Sequence, residues 1–252
     1  IYDPEAGYLL AAESCQAVSQ AVAKEGGKFI HAAAQPGRIS GGRMEQLTLG
    51  DGTPLKADVF VFANGPWLGR SFPKLLDGKL RVTRQPVFFF GPPADFATKL
   101  NKPFPVWMNR DAANQERCYG VYDPRLSAFK LAYTQLKEQE LDPSQDERIV
   151  RPEEIAHARY LMEKRFAFMK EAPLLFAKVC QHTDTPDKNF ILDQHAEAAN
   201  LWLLGGGSGH AFKHGPALGE LAASSIGLGA IQTQDFSISR LASLENFSST
   251  HK

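Results

Sequence analysis

The sequence of 252 residues is poor in cysteine, balanced in charge and without a long apolar run. The three cysteines cannot form a complete set of disulfides and match no zinc motif, which favours a reducing, cytoplasmic compartment. Lys and Arg total 28, as do Asp and Glu, so the net charge of +0 does not suggest nucleic acid or an acidic membrane surface as a partner. No apolar run reaches the roughly 18 residues of a transmembrane helix.

The chain opens with Ile1-Tyr2-Asp3-Pro4, which is neither a signal peptide nor an initiator methionine. We therefore expect residues upstream of this sequence. Hydrophobic residues make up 43% and charged residues 22%, a composition that can bury a sizeable core and excludes disorder as an overall description.

Hydrophobic periodicity predicts two kinds of layer. Residues 10–24 have helical spacing, and the apolar run 59–63 reads as a strand covered on both faces. Short β-rich segments fill the middle of the chain, and an amphipathic helix follows at residues 151–170. The β-rich segments are 81–90, 104–108, 117–122 and 128–134. The pattern predicts an α/β layer joined to a mostly antiparallel sheet.

A glycine-rich loop, Gly205 to Gly209, lies between the apolar strand 201–204 and a predicted helix at 216–226. Glycines let backbone amides approach a ligand, and a helix N-terminus attracts anions. The spacing does not fit the dinucleotide fingerprint G-x-G-x-x-G, because His210 stands where the third glycine belongs. The loop is therefore either a ligand loop or a tight connection.

Three titratable residues follow this loop. Lys213 is a candidate for holding a substrate carboxylate or the negative end of a reduced cofactor. His210 and His214 have the spacing of paired zinc ligands on a helix, but no third ligand is apparent, so structural histidines are the favoured interpretation and no metal is predicted.

Two further candidates lie on predicted strands. Cys180 is either a small buried hydrophobe or a reactive thiol at the end of its strand, beside His182. Alternation places Lys130 on the face opposite Phe129 and Leu131, where it is either solvated or a cation facing a pocket.

Two long motifs resemble the flavin-dependent amine oxidases of the D-amino-acid-oxidase superfamily. The similar branch contains the monomeric sarcosine, pipecolate, N-methyltryptophan and fructosyl-amine oxidases. Its motif Cys-x-Tyr-Thr-x-Thr-x-Asp-x-x-Phe-Ile-x-Asp-x-His is matched from Cys180 to His195, with His182 in place of the tyrosine. Its motif Gly-x-Ser-Gly-His-x-Phe-Lys is matched from Gly206 to Lys213. Weaker matches occur at residues 61–67, 84–86 and 119–120.

The resemblance implies an FAD enzyme that oxidises the C–N bond of a secondary or N-substituted amine, often an amino acid, to an imine. Oxygen would reoxidise the flavin and give hydrogen peroxide. The resemblance also implies catalytic roles for Lys130, near the flavin, and Lys213, at the substrate carboxylate, and a covalent flavin bond at Cys180. The implied cofactor-binding residues are Cys180, Gly206, Gly207, Ser208, Gly209, His210, Phe212 and Lys213.

Two departures from the branch bear on function. Thr134 replaces the histidine found four residues after the lysine that matches Lys130, which puts the usual substrates in doubt. The G-x-G-x-x-G unit and its acidic ribose-binding residue are absent, so the chain resembles only the C-terminal two-thirds of such an enzyme. We expect a discontinuous FAD-domain remnant at residues 1–75 and 180–252 and a substrate domain at 76–179.

Three functional hypotheses follow, of which the third is a related dehydrogenase that passes its electrons onward rather than to oxygen. In the first, another chain or an N-terminal segment completes the FAD site and the assembly oxidises a small amine or amino acid. In the second, the chain is a non-catalytic fragment or binding module that retains the substrate domain.

Overall fold

The computed structural model describes residues 1–100, 103–110, 117–134 and 139–247. The chain forms two compact units. The first comprises Ile1–Leu9 and Thr83–Gln181, and the second comprises Leu10–Val82 and His182–Lys252. The assignment of residues 76–179 to a substrate domain and of the flanking ranges to an FAD domain stays a prediction.

Helices and antiparallel sheets are mixed along the described chain, which confirms the predicted α/β (α+β) class. The helices are α1 (Ala11–Lys24), α2 (Leu68–Ser71), α3 (Pro73–Leu76), α4 (Pro152–Arg165) and α5 (Gly215–Leu228). The strands are β1 (Ala34–Pro36), β2 (Ile39–Ser40), β3 (Arg43–Met44), β4 (Leu47–Leu49), β5 (Pro54–Leu55), β6 (Phe60–Phe62), β7 (Arg81–Phe90), β8 (Trp107–Arg110), β9 (Arg117–Asp123), β10 (Ala128–Tyr133), β11 (Leu174–Asp184), β12 (Ile191–His195) and β13 (Ala198–Gly205).

The first unit is built on a five-stranded sheet in the order β11-β7-β10-β9-β8. The strand β10 pairs antiparallel with β7 and with β9, and β8 pairs antiparallel with β9. One face of this sheet packs with α4 into an aromatic core. Its fully or nearly fully buried members include Phe88, Phe90, Phe129, Leu131 and Met162.

Helix α4 is shorter than the predicted range of 151–170. It ends at Arg165 because Phe166 adopts an extended backbone conformation, and a short 3-10 turn, Ala167–Met169, follows. At its start, Pro152 occupies the first turn and the Glu154 carboxylate accepts a hydrogen bond from the Arg151 amide at 2.8 Å.

The second unit contains a sheet in the order β12-β13-β6, in which β13 is antiparallel to β12 and parallel to β6. The side chains of Phe60 and Phe62 enter its core. The prediction that both faces of this run are covered is wrong, since Val61 is 46% exposed. Strand β6 lies at the edge of its sheet, and the α5 residue Ala222 clusters with Trp202 of β13 rather than with Val61.

Helix α1 confirms the predicted helix at residues 10–24, but none of its residues is buried. The sequence at residues 28–34 is also compatible with a strand, but the structure has only the short β1 (Ala34–Pro36) there. The turn signals that flank residues 44–49 predict a small antiparallel hairpin. The structure has instead the antiparallel pair of β2 with β3 and a three-stranded sheet in the order β1-β4-β5. In the described part of the chain, no helix is long and apolar enough to cross a membrane.

Candidate functional site

Lys130 lies in the middle of β10, on the sheet face opposite the aromatic core. Phe129 and Leu131 enter that core, as alternation predicts, and Lys130 does not. Its cross-strand partners are Phe89 on β7 and Val121 on β9. Among the described residues, no carboxylate pairs with its ammonium group. A half-buried cation without an acidic partner is suited to meeting an anionic ligand.

The electrostatic surroundings of Lys130 are set by burial and by three neighbours. Its Nζ lies 5.8 Å from the centroid of the Tyr119 ring, within the range of a cation–π contact. Burial lowers the pKa of Lys130, negative charge at Cys180 raises it, and the Lys178 ammonium lowers it again. Burial and the Cys180 charge together raise the pKa of Tyr119. Cys180 therefore influences the pKa values of both Lys130 and Tyr119.

The thiol of Cys180 is free and half-buried. It packs against four apolar residues of the same unit, namely Val87, Phe89, Ala128 and Ala132. The prediction that Cys180 ends its strand is wrong, because β11 continues to Asp184. Cys180 is therefore held on a rigid strand, in the same unit as Lys130. The sequence motif had indicated Cys180, whereas Tyr119 and Lys178 were not predicted as site residues.

The glycine loop belongs to the second unit and has an unusual backbone. Gly206, Ser208 and Gly209 have φ values of 65°, 45° and 74°. A Cβ at Gly206 would lie 2.7 Å from Cγ2 of Thr185, so this position excludes a side chain as well as requiring positive φ. Within the described residues, the amides of Gly207 and Gly209 donate to no acceptor. These amides form a small cradle for an anion or a carbonyl oxygen.

The loop is held to the end of β11 by hydrogen bonds. The amide of Ser208 donates to the carbonyl of Thr183 at 2.9 Å, and the amide of Thr185 donates to Oγ of Ser208 at 3.3 Å. Oγ of Ser208 also donates to the carbonyl of Gly206 at 3.1 Å. Ser208 therefore holds the loop in place through its hydrogen bonds, and its hydroxyl is not free.

The residues after the loop form a turn, not the immediate start of a helix. A 3-10 turn, Phe212–His214, precedes α5, so the expected helix N-terminus lies beyond the glycines. Lys213 is exposed, and no carboxylate of the described chain pairs with it. Phe212 is exposed too, whereas His210 is half-buried, and its Nε2 lies 2.9 Å from the Lys188 carbonyl.

A shared metal-binding face for His210 and His214 is not formed. His210 precedes the 3-10 turn that contains His214, so the two do not share one helix. Their rings lie 6.1 Å apart, and both contact Phe190. No group of three or more His, Cys, Asp or Glu suited to a metal ion occurs in residues 1–100, 103–110, 117–134 and 139–247.

A comparison with family models gives a match to the FAD dependent oxidoreductase (DAO) family over residues 1–225. This chain belongs to that family. The match covers Lys130 and Cys180 in the first unit and the glycine loop and Lys213 in the second.

Two similar proteins are a sarcosine oxidase and an N-methyl-L-tryptophan oxidase. It is 28% identical over 260 residues to the monomeric sarcosine oxidase of Bacillus sp. (strain B-0618), covering 99% of this chain and 64% of that protein. It is 38% identical over 68 residues to the N-methyl-L-tryptophan oxidase of Salmonella dublin, covering 27% of this chain and 18% of that protein. The chain therefore spans less than two thirds of the length of these relatives.

A solved structure shares the fold. The fructosamine oxidase of Aspergillus fumigatus (Amadoriase II) superposes with a TM-score of 0.78 at 17% identity, covering 93% of this chain and 56% of that one. This similarity establishes the fold alone.

Proposed function

We propose that this chain takes part in FAD-dependent oxidation of the C–N bond of a secondary or N-substituted amine, amino acids included, to an imine. The observation that carries the proposal is the half-buried ammonium of Lys130, which has no acidic partner in the described chain and shares its electrostatic surroundings with Cys180 and Tyr119. The relatives named above for sarcosine and for N-methyl-L-tryptophan support this substrate class.

Each unit, considered by itself, offers a group that suits an FAD ring. Lys130 offers positive charge where a reduced flavin is negative. The unused amides of Gly207 and Gly209 offer donors to an electron-rich edge. Cys180, on its rigid strand, is the proposed covalent attachment point. His210, Phe212 and the remaining loop residues, Gly206 and Ser208, would shape the cofactor cradle.

When bound, FAD provides the acceptor for the two electrons removed from the substrate C–N bond. The side chains of this protein bind and orient the reactants. The exposed Lys213 would pair with the substrate carboxylate as a mobile cation. Lys130 would stabilise the negative charge that develops when oxygen, the proposed acceptor, is reduced.

Binding of the adenine side of FAD needs groups that these residues do not supply. The sequence contains no G-x-G-x-x-G fingerprint, so a further segment or another chain is proposed to hold the pyrophosphate.

The second hypothesis, a non-catalytic binding module, has one specific observation in its favour. Helix α1 buries none of its residues, which leaves apolar side chains such as Val18 available to a partner.

The test is a visible absorbance spectrum of the purified protein, recorded before and after acid precipitation. Yellow colour that stays in the pellet supports covalent flavin, and Cys180→Ser should release it to the supernatant. Cys15→Ser is the matched control, because Cys15 is exposed on α1 and should leave the colour in the pellet. Because a further segment or another chain is proposed to hold the pyrophosphate, FAD is also added together with that segment or chain. A protein that stays colourless in that mixture argues against the proposed function and for the binding module.

A further inference from the structure

The imidazole of His182 lies directly against the backbone of Gly209. A Cβ built on Gly209 would stand 2.5 Å from Cε1 and 2.5 Å from Nδ1 of His182. Real Cβ atoms essentially never approach other heavy atoms below 3.0 Å. The ring therefore occupies the space that any side chain at Gly209 would need, and it forms one wall of the glycine loop.

The strand that carries His182 also anchors the loop through its backbone. Thr183 accepts the Ser208 amide, and Thr185 donates to Ser208 Oγ. His182 thus presses on Gly209 beside the two hydrogen bonds that fasten Ser208. Displacement of the ring would remove the packing on one side of a loop in which Ser208, a residue other than glycine, has a positive φ of 45°.

The charges that face His182 make its packed position sensitive to protonation. Burial lowers the pKa of His182, the Asp184 carboxylate raises it, and Lys188 and His210 lower it further. The Asp184 carboxylate already pairs with the Lys188 ammonium at 3.2 Å. Burial and two nearby cationic or cation-forming groups therefore oppose a charged imidazole at this position.

We propose that His182 is the positioning residue of the glycine loop, and that protonation of its ring releases the loop from β11. The packed loop is stable while the ring is neutral, at pH above about 6.5. As the pH falls below that value, the released form takes up a proton and the packed form resists it, so the released population grows. The inference concerns the chain itself and goes beyond the proposed oxidation.

Amide hydrogen exchange measured by NMR tests this proposal without FAD. The reporters are the amides of Ser208 and Ala211, which donate to Thr183 and Gly207. Their protection, corrected for intrinsic exchange, should fall by up to about tenfold between pH 7.5 and pH 5.5 in the unmodified protein. Amides of β10 in the first unit report any global loss of stability and should not follow the same change.

Four variants separate a positioning role of His182 from a general effect on stability. His182→Tyr places a ring that stays neutral in this pH range, so protection at Ser208 should remain high at both pH values. His182→Ala should lose protection at both, and His182→Asn serves the same purpose if the alanine variant does not fold. His157→Gln, on α4 of the first unit, should behave as the unmodified protein does.

Equal protection at Ser208 at both pH values in the unmodified protein would overturn the proposal. So would unmodified protection in His182→Ala. Because the readout needs no cofactor, either result is independent of whether the protein binds FAD.

Discussion

Arg240 donates two hydrogen bonds to the Asp187 carboxylate, from Nε at 2.8 Å and from Nη2 at 3.2 Å. The pair is largely buried, with side-chain exposures of 14% for Arg240 and 21% for Asp187. Arg240 also donates to the carbonyls of Ser237 and Asn189. This clamp, the set of hydrogen bonds made by the Arg240 side chain, connects the turn before β12 to the C-terminal part of the second unit. It also gives Asp187, a residue of the motif from Cys180 to His195, a structural partner.

Loss of this clamp should destabilise the protein. Arg240→Met removes four hydrogen bonds and leaves the Asp187 carboxylate without its cation, which should lower the free energy of unfolding by about 2 kcal/mol. Lys99→Met is the control, because the Lys99–Asp95 pair is exposed to solvent and its loss should change the free energy of unfolding much less. Urea unfolding measures both. Equal losses in the two variants would contradict the structural role of Arg240.

The same pair predicts a pH dependence of stability. Burial raises the pKa of Asp187, but hydrogen bonds from Arg240 and Asn189 and the Arg240 charge outweigh it and lower the pKa to about 2. A depressed carboxyl pKa stabilises the folded state above the unfolded value of 3.8, and this contribution fades as the pH falls towards 2. The stability difference between the unmodified protein and Arg240→Met should shrink by roughly half from pH 5 to pH 3. A constant difference in urea unfolding would refute the assignment.

In the first unit, breaking the buried ion pair between Arg84 and Glu154 should lower the free energy of unfolding more than breaking the Arg240–Asp187 pair does. The two side chains are 5% and 7% exposed, and their Nη2 and Oε2 atoms lie 3.2 Å apart. Glu154→Gln leaves the Arg84 cation buried without a negative partner and should cost about 3 kcal/mol. Glu153→Gln removes the adjacent, exposed carboxylate from the same helical turn and should cost about 0.5 kcal/mol. Thermal and urea unfolding give the free energy of unfolding of both variants. Similar losses in the two variants would argue against a stabilising role of the buried ion pair.

The backbone of the glycine loop should not tolerate a side chain. Gly206→Ala places a methyl group 2.7 Å from Thr185 Cγ2 at a positive φ, so we expect a loss of about 1–3 kcal/mol and weaker flavin retention. Gly219→Ala is the matched control. Its Cβ would meet nothing within 4 Å inside α5, so stability should be unchanged or rise by up to about 1 kcal/mol. Calorimetry and flavin absorbance give the two readouts.

Lys130 should act on the reaction with oxygen more than on substrate oxidation. In a flavin-loaded preparation, Lys130→Met removes the positive charge beside Cys180 and should slow flavin reoxidation by on the order of a hundredfold. Lys178→Met removes an exposed cation near Lys130 and should have a much smaller effect. Stopped-flow measurement of the two half-reactions separates these steps. Equal slowing of both half-reactions in Lys130→Met would rule out a specific role.

Much of the candidate site could be predicted from local patterns. Alternation in β10 placed Lys130 opposite Phe129 and Leu131, and the structure shows the two apolar residues in the core. The glycine run after the apolar strand predicted a loop, which the structure has directly after β13. The helix at residues 10–24 was also correct, because helix formation leaves a local period of 3.6.

Other features depended on contacts that no local pattern contains. The run 59–63 is apolar throughout, yet Val61 is exposed, because burial depends on which elements cover the sheet. In the sequence His182 is only a departure from a motif, and its contact with Gly209 arises only in the folded chain. The apolar residues that cover Cys180 come from two other strands, β7 and β10.

The sequence by itself determined the family motifs, the division into α/β and antiparallel segments, and the candidate site residues. The tertiary structure alone decided that Arg240 reaches Asp187 across 53 residues and that His182 supports Gly209. The physical reason is the range of the interactions. Secondary structure follows from neighbours within a few residues, whereas burial, ion pairing and shifted pKa values arise from groups that the folded chain brings together.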